Sequence, residues 1–455
     1  MATFKFSLLS VALILLSLCT NAQNTRLSLK EAWEKAYLSY PSLKEKQALI
    51  RASEYNTSKV KSEAIPSLQL QLQNTFGTFN GGGGAFFPVP GIFNISGNNS
   101  IEKTSTTGNA YGSVVADWEI FHFGKQKQNV STANALTQKS KEDYALTKLS
   151  VKTVVTRLYF KIIYAQAYLN WAKSYAERVK KISEIAASLS DAGLKPGADT
   201  SLSHSSYLLA LSATDEWNGN TIAAKTDFLE YLPMLTDSIV VNSDFFLKSG
   251  TPSKFIISES NHPALKILEQ HIKVNQFKEK AMSADLLPSL SALAGVSSRG
   301  SGIGTTQIDH SLGGGFQNMN NNYLVGLGLT WNISNLYSGT LQKKQIQQEV
   351  IAAEARYDLQ KLQLNTAIQS IENRITEQFK QVNKTDKAVT QAREAYDLYF
   401  SRYEAGLINL IELLQIQLLL EQSEKKNIEA HQAFWDQVIS LAVASNDFSY
   451  LSNQF

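Results

Sequence analysis

The sequence is almost without cysteine: Cys19 stands alone, close to the start of the chain. The remainder can hold neither a disulfide framework nor a cysteine-based metal site. Histidine is sparse as well. His122, His204, His262, His271, His310 and His431 are scattered, with no paired spacing that would hold a metal ion. No Gly-x-Ser-x-Gly or phosphate-loop pattern occurs in a strand–helix context, so we expect no catalytic set and no cofactor. An excess of charge of one sign is also lacking. Lys and Arg number 43 and Asp and Glu 40, a formal net charge of +3, too balanced for a nucleic-acid surface. Beyond the first segment no apolar run approaches the ~20 residues of a membrane-spanning helix. If the protein is in a membrane, it is there as a β-barrel.

What is present begins with an export signal. Lys5 gives a weakly positive start, Leu8 to Leu18 form a short apolar run, and Thr20-Asn21-Ala22 is a small-residue cleavage site. The expected signal peptide is 1–22, with Gln23 as the first mature residue. Cys19 follows Leu18 rather than a small residue, so it belongs to the signal and is not a lipid anchor.

The mature chain repeats itself. Tyr40-Pro41-Ser42-Leu43-Lys44 returns as His262-Pro263-Ala264-Leu265-Lys266, and Ile65-Pro66-Ser67-Leu68 as Leu287-Pro288-Ser289-Leu290. The two prolines are 25 residues apart in each copy. Trp118-Glu119-Ile120 returns as Trp331-Asn332-Ile333, each followed by a glycine, Gly124 and Gly339. Ala192-Gly193-Leu194 returns as Ala405-Gly406-Leu407, 75 residues after the tryptophan both times. We read two structural repeats, 23–240 and 241–455, with matching copies at about 27–240 and 251–455.

Each copy changes period in the same order. A helical stretch (Ser42 to Ala64, Ala264 to Leu287) runs up to the second proline. Then Leu68, Leu70 and Leu72 alternate with glutamines, as do Val114, Ala116, Trp118 and Ile120 with their neighbours. Tyr323, Val325, Leu327, Leu329 and Trp331 do the same in the second copy, and Ser289 to Ser298 is the weakest of the four. This period of two predicts strands at about 67–78, 109–121, 289–298 and 323–333. Residues 77–108 and 299–322, with Gly81 to Gly84 and Gly313 to Gly315, read as loops.

Residues 125–192 and 340–405 contain neither glycine nor proline. Val151, Val155, Leu158, Ile162, Ala165, Leu169, Ala172, Ala176 and Val179 form a heptad seam. Ile368, Ile371, Ile375, Phe379 and Val382, then Val389, Ala392, Tyr396, Tyr399 and Tyr403, nearly repeat it. Helices of this length reach about 100 Å at ~1.5 Å per residue. Gly193 and Gly406 end them in tight turns, and long helices return.

Four strands do not close a membrane barrel, for which about eight is the minimum. A barrel therefore requires more than one chain: two copies give eight strands and three give twelve. Trp118 and Trp331 fall where an aromatic girdle would meet the membrane interface. The competing readings are a soluble β-sandwich on a coiled coil and a structural envelope protein without a pore.

The Leu-Pro-Ser-Leu strand starts, the Trp-x-Ile…Gly strand ends and Arg402-Tyr403-Glu404-Ala405-Gly406-Leu407 resemble the TolC-type outer-membrane efflux family. The resemblance covers nearly the whole mature chain and includes the duplication. It implies an α+β membrane protein: a homotrimer with a twelve-stranded barrel in outer-membrane lipid, continued by a periplasmic α-helical barrel. It implies an export duct working with a periplasmic adaptor of the membrane-fusion type and an inner-membrane transporter. It also implies a gate at the helix tips. Matched from Gly406, the first constricting acid is Glu412, while the second position holds Gln415. The linking tyrosine is Tyr403 and, matched from Gly193, its acidic partner is Asp199. The family's linking arginine is replaced by Ile408. Residue by residue, Tyr403 also suits a heptad core, Glu412 a solvated helix face and Asp199 a helix N-cap.

Overall fold

The computed structural model describes residues 26–79, 105–232, 239–241, 243, 246–247, 262–304 and 307–455. The expected signal peptide, Cys19 and the Gly81–Gly84 run lie outside them. In chain order the elements are α1 (Leu29–Ser39), α2 (Pro41–Ser62), β1 (Ser67–Phe79), β2 (Ser105–Phe121), α3 (Lys125–Asp191) and α4 (Gly197–Phe228). The second copy follows with α5 (Pro263–Asp285), β3 (Ser289–Ser301), a 3-10 turn (Leu312–Phe316), β4 (Asn320–Thr330), α6 (Asn335–Glu404), α7 (Leu410–Ser445) and α8 (Ser449–Gln454). The order helix, two strands, very long helix and returning helix occurs in both copies, while α1, the 3-10 turn and α8 each have no counterpart among the described residues. No described helix is long and apolar enough to cross a membrane.

The chain forms two compact units, and each draws on both sequence copies. One comprises Arg51–Gln138 and Gln270–Glu354 and holds the sheet. Its strands run in the order β1-β2-β3-β4, all antiparallel. β2 and β3 come from different copies, so the duplication is joined in mid-sheet. In β2 the pairing slips between Glu119 and Phe121. This bulge sets Phe121 opposite Leu290 and leaves Ile120 unpaired, so the stripe expected through Ile120 passes to Phe121. β4 ends at Thr330, one residue short of Trp331. The segment between β3 and β4, expected to be loop, is partly built: Thr107 Oγ1 donates to the Asp309 carbonyl at 2.8 Å and Gly302 N–H to the Gly108 carbonyl at 3.0 Å. Gly315 lies so close to the Asn109 backbone that a Cβ would sit 2.7 Å from the Asn109 carbonyl carbon. Only glycine fits there. Gly339 does not precede the long helix as Gly124 does. It lies inside α6, where the Leu286 and Met282 side chains occupy the space of a Cβ.

The other unit comprises Met1–Ile50, Lys139–Glu269 and Ala355–Phe455. α3 and α6 are unbroken over 67 and 70 residues. The seam from Val151 to Val179 is buried except for half-buried Leu158, and Ile368, Ile375, Val382, Ala392, Tyr396 and Tyr403 are buried on α6. Around the middle of these helices lies a core that sequence periodicity did not reveal. Trp33 Nε1 donates to Thr156 Oγ1 at 2.9 Å, Tyr159 Oη to the Leu27 carbonyl at 2.8 Å and Trp435 Nε1 to the Phe246 carbonyl at 3.0 Å. Leu29 N–H donates to the Phe455 carbonyl at 3.0 Å, while the Phe455 ring sits edge-on to Phe160 and Trp435. A capping box between Ser28 and Glu31 starts α1.

Candidate functional site

Two places carry function-bearing geometry, and each lies within one unit. The first is the sheet. Antiparallel register aligns Leu68, Ala116, Ala294 and Val325 across it, and one row further Leu70, Val114, Val296 and Tyr323. Trp118, Ala292 and Leu327 form another row on this face. Every side chain in those rows is apolar or aromatic. Rows on the opposite face carry Gln69, Gln71, Gln73, Ser113, Asp117, Ser297 and Asn322, mixed with glycines and with Tyr111, Val115, Leu293 and Leu324. The apolar face is uncovered: Leu68 is 75% exposed, Val325 78% and Tyr323 84%. An apolar face this wide, left bare, marks a surface that meets lipid or a partner. The outer edges of β1 and β4 each have no strand beside them among the described residues.

The two tryptophans occupy equivalent positions beside this face. Trp118 Nε1 donates to the Ala64 carbonyl at 3.0 Å and Trp331 Nε1 to the Leu286 carbonyl at 3.1 Å. Each acceptor is two residues before the strand-starting proline, Pro66 or Pro288. Both indoles are about half exposed, so ring and polar N–H are presented to different surroundings.

The second place is the pair of helix tips. Gly193 and Gly406 both have φ of +72°. In each, the glycine N–H reaches back three residues (to Ser190 or Tyr403) and the next leucine N–H five (to Leu189 or Arg402). This is the same Schellman closure twice. The leucine after each glycine, Leu194 or Leu407, is 69% exposed rather than folded onto its helix. Ile182 from α3, Tyr396 and Tyr403 from α6, Ile408 from the turn, and Leu410 and Leu413 from α7 share one buried cluster.

The sequence-derived gate residues take up distinct roles here. Tyr403 is fully buried, and its hydroxyl has no hydrogen-bond partner among the described residues. Burial, and then the negative charge of Asp199, push its pKa up. The Tyr403–Asp199 hydrogen bond is therefore not made within the chain. Asp199 is half-buried in the first turn of α4, but the N-cap there is Pro196. Asp199 faces the helix dipole instead of capping it. Glu412 is exposed and sits in the first turn of α7. Its backbone N–H donates to Asn409 Oδ1 at 2.9 Å and its carboxylate accepts from Asn409 Nδ2 at 2.6 Å. Gln415 is exposed and Ile408 is buried in the tip cluster. No group of acids and histidines suited to a metal occurs among the described residues.

One residue that ties the long helices together was missed from the sequence. Glu424 on α7 is buried and accepts from Arg178 on α3 at 2.5 Å and from Arg393 on α6 at 2.8 Å. One carboxylate thus ties three helices together. Its partners are 246 and 31 residues away, and no local pattern signals such a match.

Comparison with known proteins agrees with this geometry. The family model for outer membrane efflux proteins matches residues 33–224 and 257–447, once per copy. No curated protein matches the sequence. Among solved structures, a membrane protein from Pseudomonas aeruginosa superposes with a TM-score of 0.74 at 14% identity, over 91% of this chain and 92% of that one. The CmeC outer membrane channel of Campylobacter jejuni gives 0.71 at 14% identity over 93% and 85%. The outer membrane protein VceC of Vibrio cholerae gives 0.68 at 14% identity over 92% and 96%. These likenesses establish the fold, and the match of both copies to one family model establishes the kinship: the chain belongs to the outer membrane efflux protein family, the TolC type that its motifs resemble.

Proposed function

We propose that the protein is an export duct of the outer membrane, built as a homotrimer. The observation that carries this reading is the four-stranded sheet, with apolar rows on one face, more polar rows on the other and, among the described residues, no strand beside either edge. Such a sheet is a barrel segment with a lipid face and a water face. Unpaired edges in a membrane leave backbone groups unsatisfied, so the strands must close against other copies. Three copies supply twelve strands, the number that the family resemblance implies. The long helices then continue the barrel into the periplasm. The turns at Gly193 and Gly406, with exposed Leu194 and Leu407, form its tip, where a periplasmic adaptor and through it an inner-membrane transporter engage. Glu412, Asp199 and Tyr403 lie at this tip as gate candidates, and Trp118 and Trp331 mark the membrane interface. Native mass spectrometry of the detergent-solubilised protein should give three chains, and the same sample should conduct in planar bilayers. A monomer, or a trimer without conductance, would overturn the reading in favour of a structural envelope protein.

A further inference from the structure

Within the helical unit, α4 and α6 each carry exposed charges of one sign that the chain itself leaves unmatched. They are Asp215 and Glu216 on α4, and Lys384 and Lys387 on α6. None of the four forms a side-chain hydrogen bond or ion pair among the described residues. Asp215 stands five residues past buried Ala210, and Lys387 five past buried Val382. With 3.6 residues per turn that is about 140° round each helix, away from the chain's own core. Among the described residues, no hydrogen bond, ion pair or ring contact joins α4 to α6.

Contacts with α3 fix the height of each group along the helices. α4 runs antiparallel to α3: Trp217 stacks on Tyr168 at 4.1 Å, and Ala210 packs with Ala176 and Val179. Asp215 and Glu216 therefore lie beside residues 169–172 of α3. α6 runs parallel to α3, and the Arg178–Glu424–Arg393 bridge sets position 393 level with position 178. Positions 384 and 387 are nine and six residues back from 393, level with 169 and 172 of α3. Acids and lysines thus stand at one height. Leu202 on α4 and Leu398 on α6, 44% and 67% exposed, match to within a turn nearer the tip.

We infer that neighbouring copies meet along α4 of one and α6 of the next, with Asp215 and Glu216 set against the partner subunit's Lys384 and Lys387. This rests on the homotrimer proposed above and names the seam that closes its helical wall. Rotation about an axis along the helices moves a residue round the ring without changing its height. A head-to-tail ring of one chain therefore joins only residues of equal height, and two different faces of each copy must be complementary. Opposite charges at one height and leucines at another meet both conditions. A partner of another kind would require no such match.

Size-exclusion chromatography with light scattering, on the intact detergent-solubilised protein after stepwise heating, tests the seam. Asp215→Lys with Glu216→Lys puts like charges face to face, and the trimer should dissociate at a lower temperature than the parent's. Lys384→Glu with Lys387→Glu should do the same. All four changes together should bring the temperature back to the parent value, which general damage to the fold would not allow. Both losses should shrink in 1 M salt, where the screening length is about 3 Å. Asp215→Cys with Lys387→Cys, joined by a short bismaleimide, should give a covalent trimer, and either cysteine alone should not. A parent trimer indifferent to both reversals, or reversals that the fourfold change does not rescue, would overturn the seam and leave the trimer standing. The first of these is the outcome if an adaptor covers the stripes instead. A monomeric parent would overturn trimer and seam together.

Discussion

His262 illustrates how one side chain couples a helix end to acidity. It precedes α5, and its Nδ1 accepts the Ala264 N–H at 3.3 Å, while the ring also meets the Val443 carbonyl. Burial pulls its pKa below the usual histidine value. Above about pH 6.5 folded and unfolded chains both hold it neutral, so it is silent there. As pH falls through that value the unfolded chain takes up the proton first, and stability is lost until the folded pKa is reached. His262→Asn keeps a cap acceptor without titrating. Its melting temperature should fall less than the parent's as pH is lowered below about 6.5, and parallel curves would show that His262 is not responsible. Tyr403 is the opposite case, a group that titrates far from neutral and matters for what it lacks. Its buried hydroxyl makes no bond among the described residues. Tyr403→Phe should therefore leave the tip as stable or raise its stability by about 1–3 kcal/mol, the penalty of an unmatched buried polar group. Hydrogen exchange at α6 and α7 would read this. A loss of protection, with more frequent channel opening, would show that the hydroxyl meets Asp199 of another helix in the assembly.

At the scale of elements, the two tip turns form a matched pair. Gly193 and Gly406 share φ of +72° and neither has an atom within 4 Å of where a Cβ would be. Alanine at either place meets no neighbour and suffers only the backbone penalty of the left-handed region, ~1–2 kcal/mol. Gly193→Ala and Gly406→Ala should thus cost about the same, and the double variant should cost their sum, measured by chemical denaturation or tip hydrogen exchange. A clearly larger loss at one turn would mean that it is held against something the other is not. The same elements show what sequence reading reaches. The seam on α3 was legible because every seventh-residue step is local, and a helix turns that step into one buried stripe. The shift from Ile120 to Phe121 was not legible, because the bulge exists only once β2 pairs with β3. The Glu424 bridge and the core around Trp33, Tyr159 and Phe455 escaped for a related reason. Their partners are 246 residues apart for Arg178 and Glu424 and 296 for Tyr159 and Phe455, beyond any periodic window.

For the whole molecule, the trimer proposed above would multiply single charges by its rotational symmetry. One Glu412 per chain is an ordinary exposed acid that completes the Asn409 cap. Three around one axis would form a ring of negative charge that attracts cations. Glu412→Gln should lower the cation preference of single channels in planar bilayers while leaving the trimer intact. It keeps an oxygen that can accept from Asn409 Nδ2, so the helix start survives. Unchanged selectivity in an intact channel would remove Glu412 from the constriction. With glutamine at position 415 and isoleucine at 408, this tip carries fewer charges and links than the family pattern implies.

The sequence by itself determined the duplication, the alternation that makes two-faced strands, and the glycine- and proline-free stretches that make very long helices. All three depend on short-range periods and on repeat spacings that persist without knowledge of the fold. Only the tertiary structure decided which rows share the apolar face, since antiparallel register aligns residues from both copies. It alone paired Trp118 with Ala64 and Trp331 with Leu286, left Tyr403 without a partner among the described residues, and tied Arg178 and Arg393 to Glu424. Each of these depends on the distance between side chains remote in sequence, and that distance exists only after the chain has folded.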